Sequence, residues 1–233
     1  MCFSPEVDVV AAAAISVAAI DAARHTEHPR TAPIALLPAL FAVHTFSSAL
    51  IWWGADGKVP AQIGEAAGQF FLTVAYVVVP VSVPIAMLML EPAGRRRDAL
   101  LVLLGAGGLA AAVFAVGLLN GRGSAVTCDS YIAFNVFGAP NAVGVLYVGA
   151  TCGALLLSSH QPLFRWGVAN AVVVVLLTLW SKAALPSIWC FWAACTSFFA
   201  AWYLRELQQQ RARGAPWPWE SMRGAPKREQ VSG

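Results

Sequence analysis

The sequence predicts an all-α polytopic membrane protein, a bundle of seven transmembrane helices, from three observations. The 233 residues are 58% hydrophobic and 12% charged, about half the charge of an average soluble domain. Mean hydropathy is +0.65. The apolar residues fall into runs close to the roughly 20 residues a helix needs to cross a bilayer. Polar segments or segments broken by Gly and Pro separate those runs. The many short alternating stretches of a β-barrel are missing.

The predicted spans lie at about 6–24, 33–53, 67–90, 98–119, 139–158, 163–183 and 185–204. Arg24, Arg30, Arg95, Arg96, Arg97, Arg165, Arg205 and the basic tail fall on one side, against Lys58, Arg122 and Lys182 on the other. That asymmetry predicts an N-terminus outside and a C-terminus in the cytoplasm of a bacterial cytoplasmic membrane. The opening Met1–Asp8 stretch is acidic and no small-residue cleavage site follows. The first span is therefore expected to stay in the protein rather than leave as a signal peptide. Residues 1–204 form the bundle in this reading. Residues 205–233 form a basic cytoplasmic tail, disordered past Gly214, with Trp217 and Trp219 resting on headgroups.

The first span opens on Glu6 and Asp8 and closes on Asp21, Arg24 and His25, where Asp21 can pair with either basic residue on one face. The second contains His44, the one ionisable side chain at the centre of any predicted span. Ser47 and Ser48 follow at three and four residues and Trp52 at eight, so they share its face, with Trp53 beside them at the surface. A buried imidazole in lipid is either a functional group or hydrogen-bonding glue between helices. Span three holds Pro80 and Pro84, which should kink it. Span four holds Gly105, Gly107 and Gly108, which allow close helix packing. The connection 120–138 is the longest between spans, and a loop of that length is functional or loosely ordered. No internal repeat is evident, which argues against an inverted-repeat transporter.

Three kinds of candidate site residue gather toward the outer side. The acids are Glu6, Asp8, Glu65 and Asp129, each also readable as a hydrated helix end. The aromatic residues include Trp52, Trp53, Phe70, Phe71, Tyr76, Trp180, Trp189 and Trp192, which an interfacial belt would also explain. Trp189 and Trp192, three apart, are the better candidates for lining an interior. The thiols are Cys2, Cys128 and Cys190, on an oxidising side where Cys2 can pair with Cys190 or Cys128 or stay free. Cys152 and Cys195 read as packing thiols. The four histidines are scattered, and no HExxH or Cys-x-x-Cys spacing occurs, so no metal is expected. No Gly-rich phosphate loop appears and no cofactor is expected. The basic residues do not form a face for nucleic acid. The expected partners are membrane lipids and a hydrophobic small molecule, and the sequence carries no signal of oligomeric state.

Met1-Cys2-Phe3-Ser4 with Asp8, the Asp21–His25 segment, His44 with Trp52-Trp53, and Trp189–Ala194 together resemble a bacterial family of small multispan membrane proteins. Its members come largely from actinomycetes and are catalogued as of unknown function. The resemblance covers all seven spans. Relatives often carry a glutamate one turn after the His44 position. Here that site is Ser48, so an acid role there does not transfer.

Two functional expectations follow. An aromatic, lipid-accessible cavity with acids at its mouth would suit proton-initiated cyclisation of an isoprenoid, since a carboxylic acid can protonate an epoxide or alkene and ring faces stabilise the cation. Length and span count are similar to the seven-helix membrane terpene cyclases of meroterpenoid pathways, an analogy of fold alone. In this reading Asp8, Glu65, Glu6 and Asp129 are the acids and His44 transfers or orients a proton. Trp52, Trp53, Phe70, Tyr76, Trp189 and Trp192 bind the substrate. The alternative is a non-enzymatic binder, a sensor or small carrier for a lipid or ion.

Overall fold

The computed structural model describes residues 4–128, 131–136, 141–180 and 185–221. Helix α1 (Pro5–Arg24) starts where Ser4 Oγ accepts from Val7 N at 3.3 Å and Pro5 takes the first turn, the usual chemistry of a helix start. A short 3₁₀ turn (Pro29–Thr31) leads into α2 (Ala32–Ala55). Helix α3 (Ala61–Thr73) passes through a π-turn (Val74–Val78) into α4 (Val79–Leu90), and α5 (Arg95–Leu119) follows. Then come strands β1 (Gly123–Cys128) and β2 (Tyr131–Val136), helices α6 (Asn141–Leu156), α7 (Gln161–Trp180) and α8 (Leu185–Ala212), and the short α9 (Pro218–Ser221).

The chain is mostly helical, with a helical rod at each predicted span position. Three rods are long and apolar enough by themselves to cross a membrane: Pro29–Ala55, Ala61–Leu90 and Arg95–Leu119. Asn141–Leu156 and Gln161–Leu177 are shorter apolar helices. Helix α1 is alanine-rich and carries Asp8 and Asp21, and α8 ends in a run of Arg and Gln, both of which dilute hydropathy. Even so, Val10, Val17 and Ile20 of α1 and Val102, Leu109 and Leu119 of α5 are more than half exposed, as in helices that face lipid.

Consecutive helices run up and down. One end of the bundle gathers the end of α1, the start of α2, the end of α4, the start of α5, the α6–α7 connection and the end of α8. It is tied by Arg205 on Asp21 at 2.7 Å, Gln208 on Glu27 at 2.7 Å and Ser159 on Glu91. This is the arginine-rich end. His25 lies 3.5 Å from Asp21, one of the pairings expected within α1, and Arg205, 184 positions along the chain, shares the same carboxylate.

The all-α expectation needs one correction, because 123–136 is an antiparallel hairpin pairing Gly123 with Val136 and Cys128 with Tyr131. GSAVTC and YIAFNV are rich in β-branched and aromatic residues, which suit a pleated surface. The hairpin lies on α3, where Gln69 Nε2 donates to the Gly123 carbonyl at 3.0 Å. Gly68 leaves room for it: a Cβ there would sit 3.3 Å from that of Ala125.

The proline kink takes a specific form. In the π-turn, Val79 N–H donates to Val74 O, so the Ala75 carbonyl faces Pro80, which has no N–H to give. Tyr147 of α6 supplies the missing donor, its hydroxyl lying 2.8 Å from Ala75 O. Helix α5 then crosses the Pro80 carbonyl so closely that a Cβ at Gly107 would overlap it, whereas Gly105 and Gly108 meet nothing. Of the three glycines expected to pack, one does.

The predicted domain boundary at 204 falls inside α8, and the chain then turns back at Gly214 (φ 81°). Trp217 and Trp219 stack at 4.8 Å, lie against His28 and are buried. Arg211 covers one indole and Arg30 the other. The pair expected at the headgroups is thus folded onto the α1–α2 connection.

Candidate functional site

Helix α2 carries His44 inward, 5% exposed, with its ring stacked on Phe71 at 3.9 Å. Phe71 stacks on Phe134 of the hairpin at 4.2 Å. Ile51, Trp52, Ala67 and Ile132 complete this cluster. Ser47 Oγ returns its proton to the His44 carbonyl at 2.6 Å, a local bond that serves the helix. The face predicted from spacing is present, and it is filled with rings.

The acids differ in burial. Asp8 is fully buried in the first turn of α1, while Glu6 and Glu65 are exposed. Glu65 borders an open groove of about 770 Å³ between α2, α3 and β1, shared with Gln69, Ser124 and Thr127. Asp129, Cys2 and the side chains of Trp180, Trp189 and Cys190 lie outside the described residues. Cys128 carries a free thiol, and its hydrogen bond to the Tyr131 hydroxyl across the strands pushes that phenol's pKa up. Cys152 is buried and Cys195 half-buried, both free.

The aromatic residues scatter. Phe70 is 40% exposed. Trp53 is half-buried and meets Phe46 edge-on at 6.3 Å. Tyr76 packs on Phe114 at 4.9 Å and on Tyr147 at 6.1 Å. Trp192 belongs to a different assembly. Its ring stacks on Trp166 at 4.9 Å with 4° between planes, and Trp166 stacks on Phe199 at 4.5 Å with 5°. Asn170 fixes this ladder: its Oδ1 accepts from Trp192 Nε1 at 2.7 Å and its Nδ2 donates to the Trp166 carbonyl at 2.8 Å.

The ladder forms one wall of a crevice of about 60 Å³ between α2, α4, α6, α7 and α8. Phe41, Val83, Met87 and Leu155 form the opposite walls. These positions fall in the half of the bundle nearer the arginine-rich end, away from the outer side where a cavity was expected. Its threonines are spent on backbone: Thr151 Oγ1 donates to Tyr147 O at 2.9 Å and Thr196 Oγ1 to Trp192 O at 3.0 Å. The surface it offers is apolar and aromatic.

At the arginine-rich end, near the crevice floor, lies a buried polar network that spacing did not reveal. Glu91, 3% exposed, accepts from Ser159 N at 3.0 Å and Ser159 Oγ at 2.9 Å. Arg97 Nη1 donates to the Leu88 and Glu91 carbonyls and so caps α4. His160 Nδ1 lies 2.6 Å from the Tyr203 hydroxyl, and both residues are buried. Tyr203 packs on Phe199 of the ladder at 6.4 Å, so network and crevice adjoin. Burial pushes the His160 pKa down, and the nearby Glu91 carboxylate partly offsets this. His160 lies in the short connection between α6 and α7. The pairing spans 43 residues, which no local pattern encodes.

Among the described residues no cluster of His, Cys, Asp and Glu could hold a metal ion. No curated protein and no solved structure matches the chain. Residues 1–215 match the family described as a family of unknown function, DUF6629, and the chain belongs to that family.

Proposed function

We propose that this chain is a seven-span protein of the bacterial cytoplasmic membrane, N-terminus outside, that binds a hydrophobic lipid or isoprenoid molecule in the crevice beside Trp166, Trp192 and Phe199. Orientation rests on the Lys and Arg asymmetry, since the arginine-rich end would face the cytoplasm. The carrying observation is the ring ladder, held in place by Asn170, on a crevice where Thr151, Thr196, Asn170 and Trp192 already spend their polar atoms inside the bundle. Such a surface has little to offer a hydrated ion and much to offer a hydrocarbon. At about 60 Å³ the crevice is smaller than the roughly 150 Å³ cavity known to take up benzene, so it would admit only the end of a chain reaching in from the bilayer.

The test is mass spectrometry of lipids retained by the protein purified in mild detergent. A hydrophobic molecule should remain bound to the wild type. It should be lost from Ala200→Leu, which fills the crevice wall. Equal lipid content in both would overturn the reading.

The full burial of Asp8 favours a second reading, proton-initiated cyclisation of an isoprenoid, because a buried carboxyl is poised to be a general acid. No acid lines the crevice among the described residues, so binding is the better supported of the two. Cells lacking a cyclase would accumulate a linear prenylated precursor, and Asp8→Asn would reproduce that without lowering membrane abundance. Unchanged product chemistry in both strains would remove the enzymatic reading.

A further inference from the structure

Trp166, which lines the crevice, has one polar atom left over. Thr151, Thr196, Asn170 and Trp192 all spend their polar atoms on partners within the bundle. Trp166 Nε1 is buried and has no hydrogen-bond partner among the described residues. It belongs to the central ring of the ladder, between Trp192 and Phe199. The contrast between the two indoles is informative, because Trp192 has an amide oxygen at 2.7 Å and Trp166 has nothing. A buried N–H without an acceptor is destabilising, and tryptophan in a buried site usually finds one.

Resting on the lipid-binding reading above, we propose that the ligand carries a neutral oxygen acceptor, such as a ketone, ester or quinone carbonyl, and that Trp166 Nε1–H is the donor that recognises it. An aliphatic chain would supply the contact area, and the indole would set the depth at which the carbonyl stops. A carboxylate is disfavoured, because among the described residues no cationic side chain lines the crevice to offset its desolvation.

The experiment compares 2-heptadecanone with heptadecane on the full-length protein in nanodiscs, reading the shift in melting midpoint. On the wild type both should raise the midpoint, the ketone further, corresponding to about tenfold tighter binding for about 1.4 kcal/mol. In Trp166→Phe, which keeps a ring in the ladder and removes the N–H, the ketone should fall to the level of the alkane, whose own shift should persist. Equal shifts for the two on the wild type would overturn the proposal without any variant, so it stays testable if Trp166→Phe does not fold. A ketone advantage that survives Trp166→Phe would overturn it as well. A wild type stabilised by neither compound would instead sink the lipid-binding reading and this inference with it.

Discussion

His44 and His160 are each 5% exposed, yet they are held by opposite means. His44 is stacked by Phe71, with Phe134 beyond it, at the end of the bundle closed by the hairpin. His160 sits at the arginine-rich end, bonded to Tyr203 and near Glu91, with a crevice above it. At the first end rings pack against the histidine. At the second a hydrogen-bonded network adjoins the crevice.

The comparison can be broken at four points, in falling order of effect. Phe71→Ala should cost about 3–5 kcal/mol of stability, because it removes the ring on which both His44 and Phe134 stack. Thermal unfolding in detergent would measure this, and a loss under 1 kcal/mol would mean that the His44 end is not the packed one. Tyr203→Phe removes the hydroxyl beside His160 and leaves a buried ring nitrogen unsatisfied, with an expected loss of about 1–3 kcal/mol. A smaller loss in His160→Phe/Tyr203→Phe, where neither partner is stranded, would tie the cost to the bond, and a loss equal to the sum of the two single losses would show that the two residues contribute independently.

The third is pH. His160 has a folded pKa below its ordinary value of about 6.5, so below that pH the unfolded chain binds the proton more readily than the folded one. Stability is then fully present above about pH 6.5 and falls as pH drops toward the folded pKa. The melting midpoint should decline between pH 7 and pH 5, and His160→Asn should flatten part of that decline. An unaltered slope would show that His160 contributes nothing to it. The smallest effect belongs to Glu65→Gln, which should change stability by no more than about 0.5 kcal/mol because the side chain is exposed. A loss of several kcal/mol would mean that the open groove is a bonded one.

The helices were legible because each rod lies where a long apolar run was marked, and three of those runs among the described residues are long and apolar enough to cross a membrane. Proline chemistry was legible as well, since Pro80 had to leave a carbonyl without a donor. That Tyr147 would supply the donor from 72 residues away could not be read. The hairpin was missed because its strands of 6 residues sit in a connection too short to show periodicity against the surrounding hydrophobic background. The crevice was missed for a related reason. Spacing on α2 singled out His44 and on α8 Trp192, but which of them faces a hollow depends on α7, where Trp166 and Asn170 drew no notice. Residues that act across three helices leave no trace along any one of them.

The central claim, that the hollow lies beside the ring ladder and takes a hydrocarbon, meets its most direct test in photo-crosslinking. Delipidated protein would be titrated with a diazirine-bearing fatty chain and the adducts mapped by mass spectrometry. The account predicts saturable labelling of the segments around Trp166, Trp192 and Phe199. Labelling that never saturates and spreads evenly over Val102, Leu109 and Leu119 of the exposed α5 face would contradict it, as would saturable labelling centred on His44 and Phe71.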